Sequence, residues 1–90
     1  MYLHLGQSEV VPARTIVGIF DLDITSQSKI TRTFLTESEK NKLVINVSDE
    51  LPKSFVVCDD CGRKKVYISQ LSSSTLQKRA MSSTFDRSDT

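Results

Sequence analysis

The stretch Val66-Tyr-Ile-Ser-Gln-Leu-Ser-Ser-Ser-Thr-Leu-Gln-Lys-Arg-Ala80 predicts a strand that passes through a serine cluster into a short basic helix. The β-branched and aromatic residues at its start suit a pleated surface. A serine at 72–74 can cap the helix, because its hydroxyl accepts a hydrogen bond from an unpaired backbone N–H group. Lys78 and Arg79 fall in the helix body or its last turn, where cations interact favourably with the helix dipole.

This part of the chain carries several cations and no carboxylates. No acidic residue lies between Cys61 and Phe85. The same segment carries five cations: Arg63, Lys64, Lys65, Lys78 and Arg79. An exposed helix N-terminus with cations nearby binds anions, of which phosphate is the usual biological case. The net charge of the chain is only +1, which is low for a dedicated non-specific nucleic-acid binder, so any anion site is local.

The length of 90 residues predicts one small domain that buries too little surface to be very stable alone, and oligomerisation is a common remedy. We expect a single domain over residues 1–81 and a polar tail over 82–90 that is disordered. The first residues lack the cationic and apolar regions of a signal peptide, and no stretch approaches the ~20 apolar residues that span a bilayer. These features predict a cytoplasmic protein without membrane contact.

The pattern of apolar residues predicts an α+β fold: a small, mostly antiparallel sheet with one central helix and a short C-terminal helix. The central helix is expected over 26–40, with Thr25 or Ser26 as its cap. Gly18, within an apolar run, predicts a bulge or a close backbone approach. The predicted strands cover 2–5, 10–12, 15–20, 43–47, 54–58 and 65–69, and the last two form a hairpin with 59–64 as the connector. Several strands are apolar on both faces, which leaves apolar surface for an interface.

Residue types that carry chemistry are present, but they do not form a catalytic constellation. Cys58 and Cys61 form a C-x-x-C, which is typical of a redox pair or of half a zinc site, although one buried strand cysteine and one turn cysteine is the simpler interpretation. Asp21 and Asp23 fit helix-entry or solvated carboxylates better than a catalytic pair. His4 has no partner nucleophile. We therefore predict no catalytic residue, no bound metal and no cofactor.

Arg14 precedes an apolar run, and its guanidinium offers the paired donors that phosphate accepts. A solvated arginine at a strand start is the alternative interpretation. Lys53, Arg63, Lys64 and Lys65 are candidates of the same kind.

Four blocks of the sequence resemble the RemB-type members of the extracellular matrix regulatory protein family, small bacterial proteins related to RemA. The blocks are Met1–Gly6, Ala13–Asp21, Pro52–Val57 and Leu71–Ala80, in the family order, and the last of them is the most specific. The resemblance covers about residues 1–81.

This resemblance implies a non-enzymatic transcription regulator of extracellular matrix and biofilm genes. Members of the RemA branch look like ring-forming homo-oligomers that bind double-stranded DNA along the outside of the ring. The resemblance places Arg14 at a position implicated in DNA contact. With the cations named above from their own chemistry, the predicted DNA-binding residues are Arg14, Lys53, Arg63, Lys64, Lys65, Lys78 and Arg79.

One departure from the family pattern supports a second interpretation. The RemA branch carries an adjacent arginine pair where this chain has Leu51 and Pro52, and Asp49 and Glu50 come just before. The chain would then be an assembly subunit, alone or with a paralogue, that does not bind DNA itself. A zinc-stabilised module that uses Cys58 and Cys61 is a third interpretation.

Overall fold

The protein is described here from a computed structural model, which covers residues 2–22 and 29–89, with side chains as far as Met81. Its elements in chain order are β1 (Tyr2–Gly6), β2 (Glu9–Pro12), a 3₁₀ turn (Ala13–Thr15), β3 (Ile16–Asp21), α1 (Lys29–Lys40), β4 (Val44–Asn46), β5 (Ser54–Asp60), β6 (Arg63–Ser69) and α2 (Ser73–Asp89). Strands β1 and β2 pair as a two-stranded antiparallel sheet, and the other four strands form a second sheet in the order β3-β5-β6-β4.

The predicted α+β class is confirmed. Strand β5 pairs antiparallel with both β3 and β6, while β4 pairs parallel with β6. A parallel pair needs a crossover connection between its strands, and β5 with its flanking loops supplies it between β4 and β6. The sheet is therefore mostly antiparallel, with α1 inserted between β3 and β4 and α2 at the C-terminal end.

Side-chain alternation along the β5–β6 hairpin creates two faces with different roles. Val56, Cys58 and Tyr67 lie on one face and join the core, because opposed residues of an antiparallel pair share a face. The core is completed by residues of β1, β2, α2 and the segment after β4: Leu3, Leu5, Val11, Leu76 and Val47. On the other face Phe55 stacks on Phe20 with ring centroids 5.1 Å apart.

Two fully buried serines join the sheets to each other. Ser69 donates its hydroxyl to the Leu5 carbonyl at 2.7 Å and accepts a hydrogen bond from the Leu71 amide at 3.0 Å. Its cross-strand partner Ser54 donates to the Leu71 carbonyl at 2.7 Å. These bonds fix β1 and the chain that enters α2 against the same end of the hairpin.

The bulge predicted at Gly18 is present, since the register between β3 and β5 shifts between Ile16 and Gly18. The Phe20 ring covers this glycine so closely that a Cβ there would lie 2.5 Å from the ring. Glycine is therefore required for Phe20 to stack on Phe55.

The structure refines several predicted boundaries. Thr15 belongs to the 3₁₀ turn rather than to β3, and its hydroxyl donates to the Pro12 carbonyl at 2.7 Å. The expected connector over 59–64 is only the two-residue turn Cys61-Gly62, with φ of 53° and 89°. The predicted caps Thr25 and Ser26 lie outside the described residues, as does Asp23. The backbone of α2 extends through Asp89, and the division into a domain and a tail stays a prediction.

The Ser69→Ala variant should lose about 2 kcal/mol of unfolding free energy, because the Leu5 carbonyl and the Leu71 amide would be left without their buried partner. The matched Ser54→Ala variant removes one hydrogen bond and should lose about 1 kcal/mol. Urea unfolding followed by circular dichroism measures both losses. Equal losses for the two variants would contradict the central role given to Ser69.

The backbone conformation of the Cys61-Gly62 turn leads to a separate prediction. A two-residue turn with positive φ at both positions prefers Asn-Gly, and a cysteine at the first position is strained. Cys61→Asn should therefore stabilise the fold by up to about 1 kcal/mol. Gly62→Ala should destabilise it by about 1 kcal/mol through backbone strain alone, since a Cβ at Gly62 would meet no atom within 4 Å. Thermal unfolding measures the change in stability for both variants. A loss of stability in Cys61→Asn would contradict the strain argument.

Candidate nucleic-acid interface

Arg14 lies in the 3₁₀ turn that leads from β2 into β3. The next residue, Thr15, is buried and anchors this turn through its bond to the Pro12 carbonyl. The Arg14 side chain is 71% exposed, and its guanidinium donates to the Asp60 carboxylate at 3.4 Å. An exposed pair at this distance is weak, so it directs Arg14 towards the end of the hairpin without occupying all its donors.

Arg63 and Lys65 lie on the face of the hairpin that carries Asp60, the carboxylate that Arg14 contacts. Arg63 is opposite Asp60 in the antiparallel pair, and Lys65 is opposite Cys58. Both line a cleft of about 230 Å³ between β2 and the hairpin, together with Thr15, Cys58, Asp60 and Tyr67. The fold thus brings three of the predicted cations together at one end of the molecule.

The other four predicted cations lie elsewhere, although all are exposed. Lys64 is on the opposite face of the hairpin, opposite Asp59. Lys53 precedes β5, at the end far from the turn, and seven residues of strand extend about 23 Å. Lys78 and Arg79 lie on α2, where Arg79 donates to the His4 carbonyl at 3.3 Å. These residues do not share a site with Arg14.

Carboxylates beside the cations are the feature that the sequence interpretation missed. The segment after Cys61 lacks acidic residues, but the tight turn pairs Arg63 with Asp60 and Lys64 with Asp59. The potential around the hairpin is therefore less positive than the sequence of β6 alone indicates. Recognition of the two-residue turn from the Cys-Gly dipeptide would have revealed this pairing.

The N-terminus of α2 is capped by the protein itself. As predicted for the serine cluster, Ser72 accepts a hydrogen bond from the Thr75 amide at 3.1 Å. The Asp21 carboxylate accepts a bond from the Ser73 hydroxyl at 3.5 Å, so a negative charge already lies at this helix end. The local anion site expected there is thus disfavoured. Asp21 lies at the entry of α2, which is distant in sequence, and not at the helix that follows it along the chain.

The two cysteines differ in environment, as the simpler interpretation predicted: Cys58 is buried and Cys61 is exposed, and both are free thiols. Among the described side chains of residues 2–22 and 29–81, no three His, Cys, Asp or Glu residues are grouped so as to hold a metal ion. His4 hydrogen-bonds through Nε2 to the Gln7 carbonyl at 2.6 Å. Over the same described ranges, neither helix has the length and apolar character required to cross a bilayer.

Burial governs the titration of the groups inside the cleft. It raises the pKa of the Cys58 thiol above its ordinary value of 9.0, and a hydrogen bond with Thr15 offsets part of this rise. Burial also raises the pKa of Tyr67 above 10.0, and the negative charges of Cys58 and Glu9 add to the effect. Both groups are neutral at pH 7, so the cleft contains no activated nucleophile.

Comparison with known proteins identifies the family. The model of the RemA-like family, described as extracellular matrix regulatory protein A-like, matches residues 2–80. This chain belongs to the RemA-like family. It is 48% identical over 80 residues to extracellular matrix regulatory protein B of Bacillus subtilis (strain 168), which covers 89% of this chain and 90% of that relative. The family resemblance inferred from the four sequence blocks is therefore confirmed.

Membership of the RemA-like family supports a regulatory role rather than an enzymatic one, because both names describe regulators of the extracellular matrix. Arg63 and Lys65 line the cleft, and Arg14 is connected to it through the Asp60 carboxylate. Contact of the seven predicted residues with DNA stays a prediction.

The raised pKa values predict a loss of stability at alkaline pH. A group whose pKa is raised by folding stabilises the fold below its unfolded pKa, and this contribution is lost as the pH rises through the folded pKa. The unfolding free energy should therefore decline above pH 9.0, the ordinary pKa of cysteine, and continue to fall beyond pH 10.0 as Tyr67 ionises. Urea unfolding at a series of pH values measures this.

Cys58→Ala should reduce the decline of the unfolding free energy just above pH 9.0, because the buried thiol is absent. This holds whatever the effect of the substitution on stability at pH 7. The matched variant Cys61→Ala removes the exposed thiol and is the comparison for the loss of a thiol as such. Identical pH dependence in Cys58→Ala and the wild type would show that the Cys58 thiol is not responsible.

Proposed function

We propose that this chain is a DNA-binding transcription regulator of extracellular matrix and biofilm genes, which acts in the cytoplasm as a ring-like homo-oligomer on double-stranded DNA. The observation that carries the proposal is the grouping of Arg14, Arg63 and Lys65 on one surface. Guanidinium and ammonium groups of this kind neutralise backbone phosphates and orient a duplex on a protein.

Three cations in one protomer give only weak binding, because carboxylates lie beside them. A closed ring repeats the same surface in every protomer, so that several weak contacts act on one duplex. The chain's net charge of +1 is compatible with this mode, since the binding strength comes from repetition rather than from one strongly basic patch. Oligomerisation is therefore part of the binding mechanism.

Contacts to phosphate carry no sequence information by themselves. Selection among DNA targets would come from the bendability of the duplex or from a few base contacts, because a ring bends or tracks DNA along its outer surface. Phosphate neutralisation releases counterions, so binding should weaken steeply with salt, with a log–log slope of about −0.9 for each neutralised phosphate.

A second candidate function is supported by the charges around the hairpin. Arg14 contacts the Asp60 carboxylate, Arg63 is the cross-strand partner of Asp60, and Lys64 is the partner of Asp59. The exposed loop before β5 presents Leu51 and Pro52 where the RemA branch carries its arginine pair. Under this alternative the chain is an assembly subunit, alone or with a paralogue, and has no direct contact with DNA.

Arg14→Ala should weaken the binding of a long fluorescent duplex, measured by anisotropy at low and moderate salt. The salt slope should become shallower by about 0.9 for each phosphate that the variant no longer neutralises. Lys40→Ala removes the same charge from the end of α1, remote in sequence from the cleft, and should retain wild-type affinity. Asp60→Asn releases Arg14 and should tighten binding, since it removes a competing carboxylate.

Absence of wild-type binding at low salt would refute the DNA-binding proposal and favour the assembly subunit. Equal weakening by Arg14→Ala and Lys40→Ala would show that only net charge matters and that the cleft is not the contact surface.

A further inference from the structure

Tyr67 carries a buried hydroxyl group that the fold leaves without a hydrogen-bond partner. The residue is only 8% exposed, and its ring belongs to the core. Among the described residues, none forms a hydrogen bond with this hydroxyl, although the oxygen is not sealed from solvent. Tyr67 lines the cleft of about 230 Å³ between β2 and the hairpin, called the cationic cleft below. Buried tyrosine hydroxyls usually have a partner, so this one points to a ligand in the cleft.

A row of three hydrogen-bond donors runs along β6 into the cationic cleft. Arg63, Lys65 and Tyr67 are two residues apart in one strand and therefore share a face. All three line the cleft, and burial increases from the exposed Arg63 and Lys65 to the buried Tyr67. Burial raises the pKa of Tyr67 above 10.0, so its hydroxyl keeps its proton at pH 7 and acts as a donor. The row therefore favours a ligand that accepts hydrogen bonds.

The charges of the cleft favour an anion at its inner end. Asp60 is the one carboxylate among the described residues that line the cleft, and it lies at the outer end opposite Arg63, in contact with Arg14. Lys65 is opposite Cys58, whose thiol is neutral at pH 7. Glu9 acts on Tyr67 electrostatically but does not line the cleft. The inner end thus combines the Lys65 cation with the Tyr67 donor.

The size of the cleft restricts the ligand to a compact one. Pockets that hold drug-sized molecules have volumes of about 300–1,000 Å³, and this cleft is smaller. A phosphate group is compact, carries negative charge and accepts several hydrogen bonds at once. Both a free phosphate and a DNA backbone offer this chemistry. A free ion reaches the buried Tyr67 more easily, because a duplex is a rigid rod that meets the exposed cations first.

We propose that the inner end of the cationic cleft binds one phosphate group, carried by inorganic phosphate or a small phosphate monoester. The Tyr67 hydroxyl is its inner donor, Lys65 is its counterion, and Arg63 lies at the mouth of the site. The ion uses two cations of the proposed DNA surface, so it should compete with the duplex. That competition rests on the proposed function, whereas the phosphate site itself does not.

Thermal unfolding of the whole chain at pH 7, in phosphate and in chloride of equal ionic strength, tests the site without DNA. A ligand of the folded state raises the Tm, so phosphate should raise the Tm of the wild type. Tyr67→Phe should fold normally in chloride, because the lost hydroxyl has no partner, but should bind phosphate about tenfold more weakly and lose most of the rise. Lys65→Met should lose it as well. The matched control Tyr2→Phe removes the hydroxyl of a tyrosine that is 64% exposed and should keep the full rise.

Tyr2→Phe also provides a direct spectroscopic readout. The chain has two tyrosines, so Tyr67 alone supplies the tyrosine absorbance of this variant. Phosphate should perturb this absorbance, and chloride of equal ionic strength should not. An unchanged spectrum, no rise of the Tm in the wild type, or an equal rise in the wild type and Tyr67→Phe would each overturn the phosphate site.

Anisotropy of the fluorescent duplex distinguishes the two sources of phosphate. If the site takes a free ion, phosphate should displace the duplex from the wild type more than chloride does, and Tyr67→Phe should bind the duplex normally but resist this displacement. If the site takes a backbone phosphate of DNA, Tyr67→Phe should itself bind the duplex more weakly. A chain that does not bind DNA but shows the rise of the Tm would overturn the proposed function and leave the phosphate site standing.

Discussion

The buried hydroxyl of Ser69 determines how the two sheets and the C-terminal helix fit together. It donates to one carbonyl of β1 and accepts from one amide of the segment that enters α2, so a single buried group serves both elements. With Leu5 held at this end of the hairpin, the antiparallel pairing of β1 with β2 brings Pro12 to the opposite end. Arg14 follows two residues later and therefore lies beside the hairpin turn.

The β5–β6 hairpin separates the cationic cleft on one face from an apolar groove on the other, lined by Val17, Phe20, Ile30 and Phe34. Residues that alternate along one strand lie on opposite faces, so Arg63 and Lys65 belong to the cationic cleft whereas Lys64 borders the apolar groove. The core covers most of the first face, and only the end beyond β2 is open. The two surfaces share no lining residue, so a molecule bound at one does not compete for side chains with a molecule bound at the other.

Local sequence signals were sufficient to predict the elements but not their relative positions. The β-branched runs, the serine cap and the bulge at Gly18 each depend on residues within a few positions of one another. The Asp60 carboxylate beside Arg14 depends on a contact across 46 positions, and its pairing with Arg63 depends on the turn length. A six-residue connector would have kept these charges apart. Ser69 was likewise inconspicuous in sequence, because serine is usually exposed.

The two-residue turn has a consequence for how this protein can change during evolution. Exposed loop tips usually accept insertions and deletions, because nothing packs on them. Here a single residue added to β6 before Lys65 would shift the alternation of the residues that precede it and exchange the faces of Arg63 and Lys64. The number of residues in this hairpin is therefore restrained, although its tip is exposed. We expect the charges of the hairpin to vary more readily than its length.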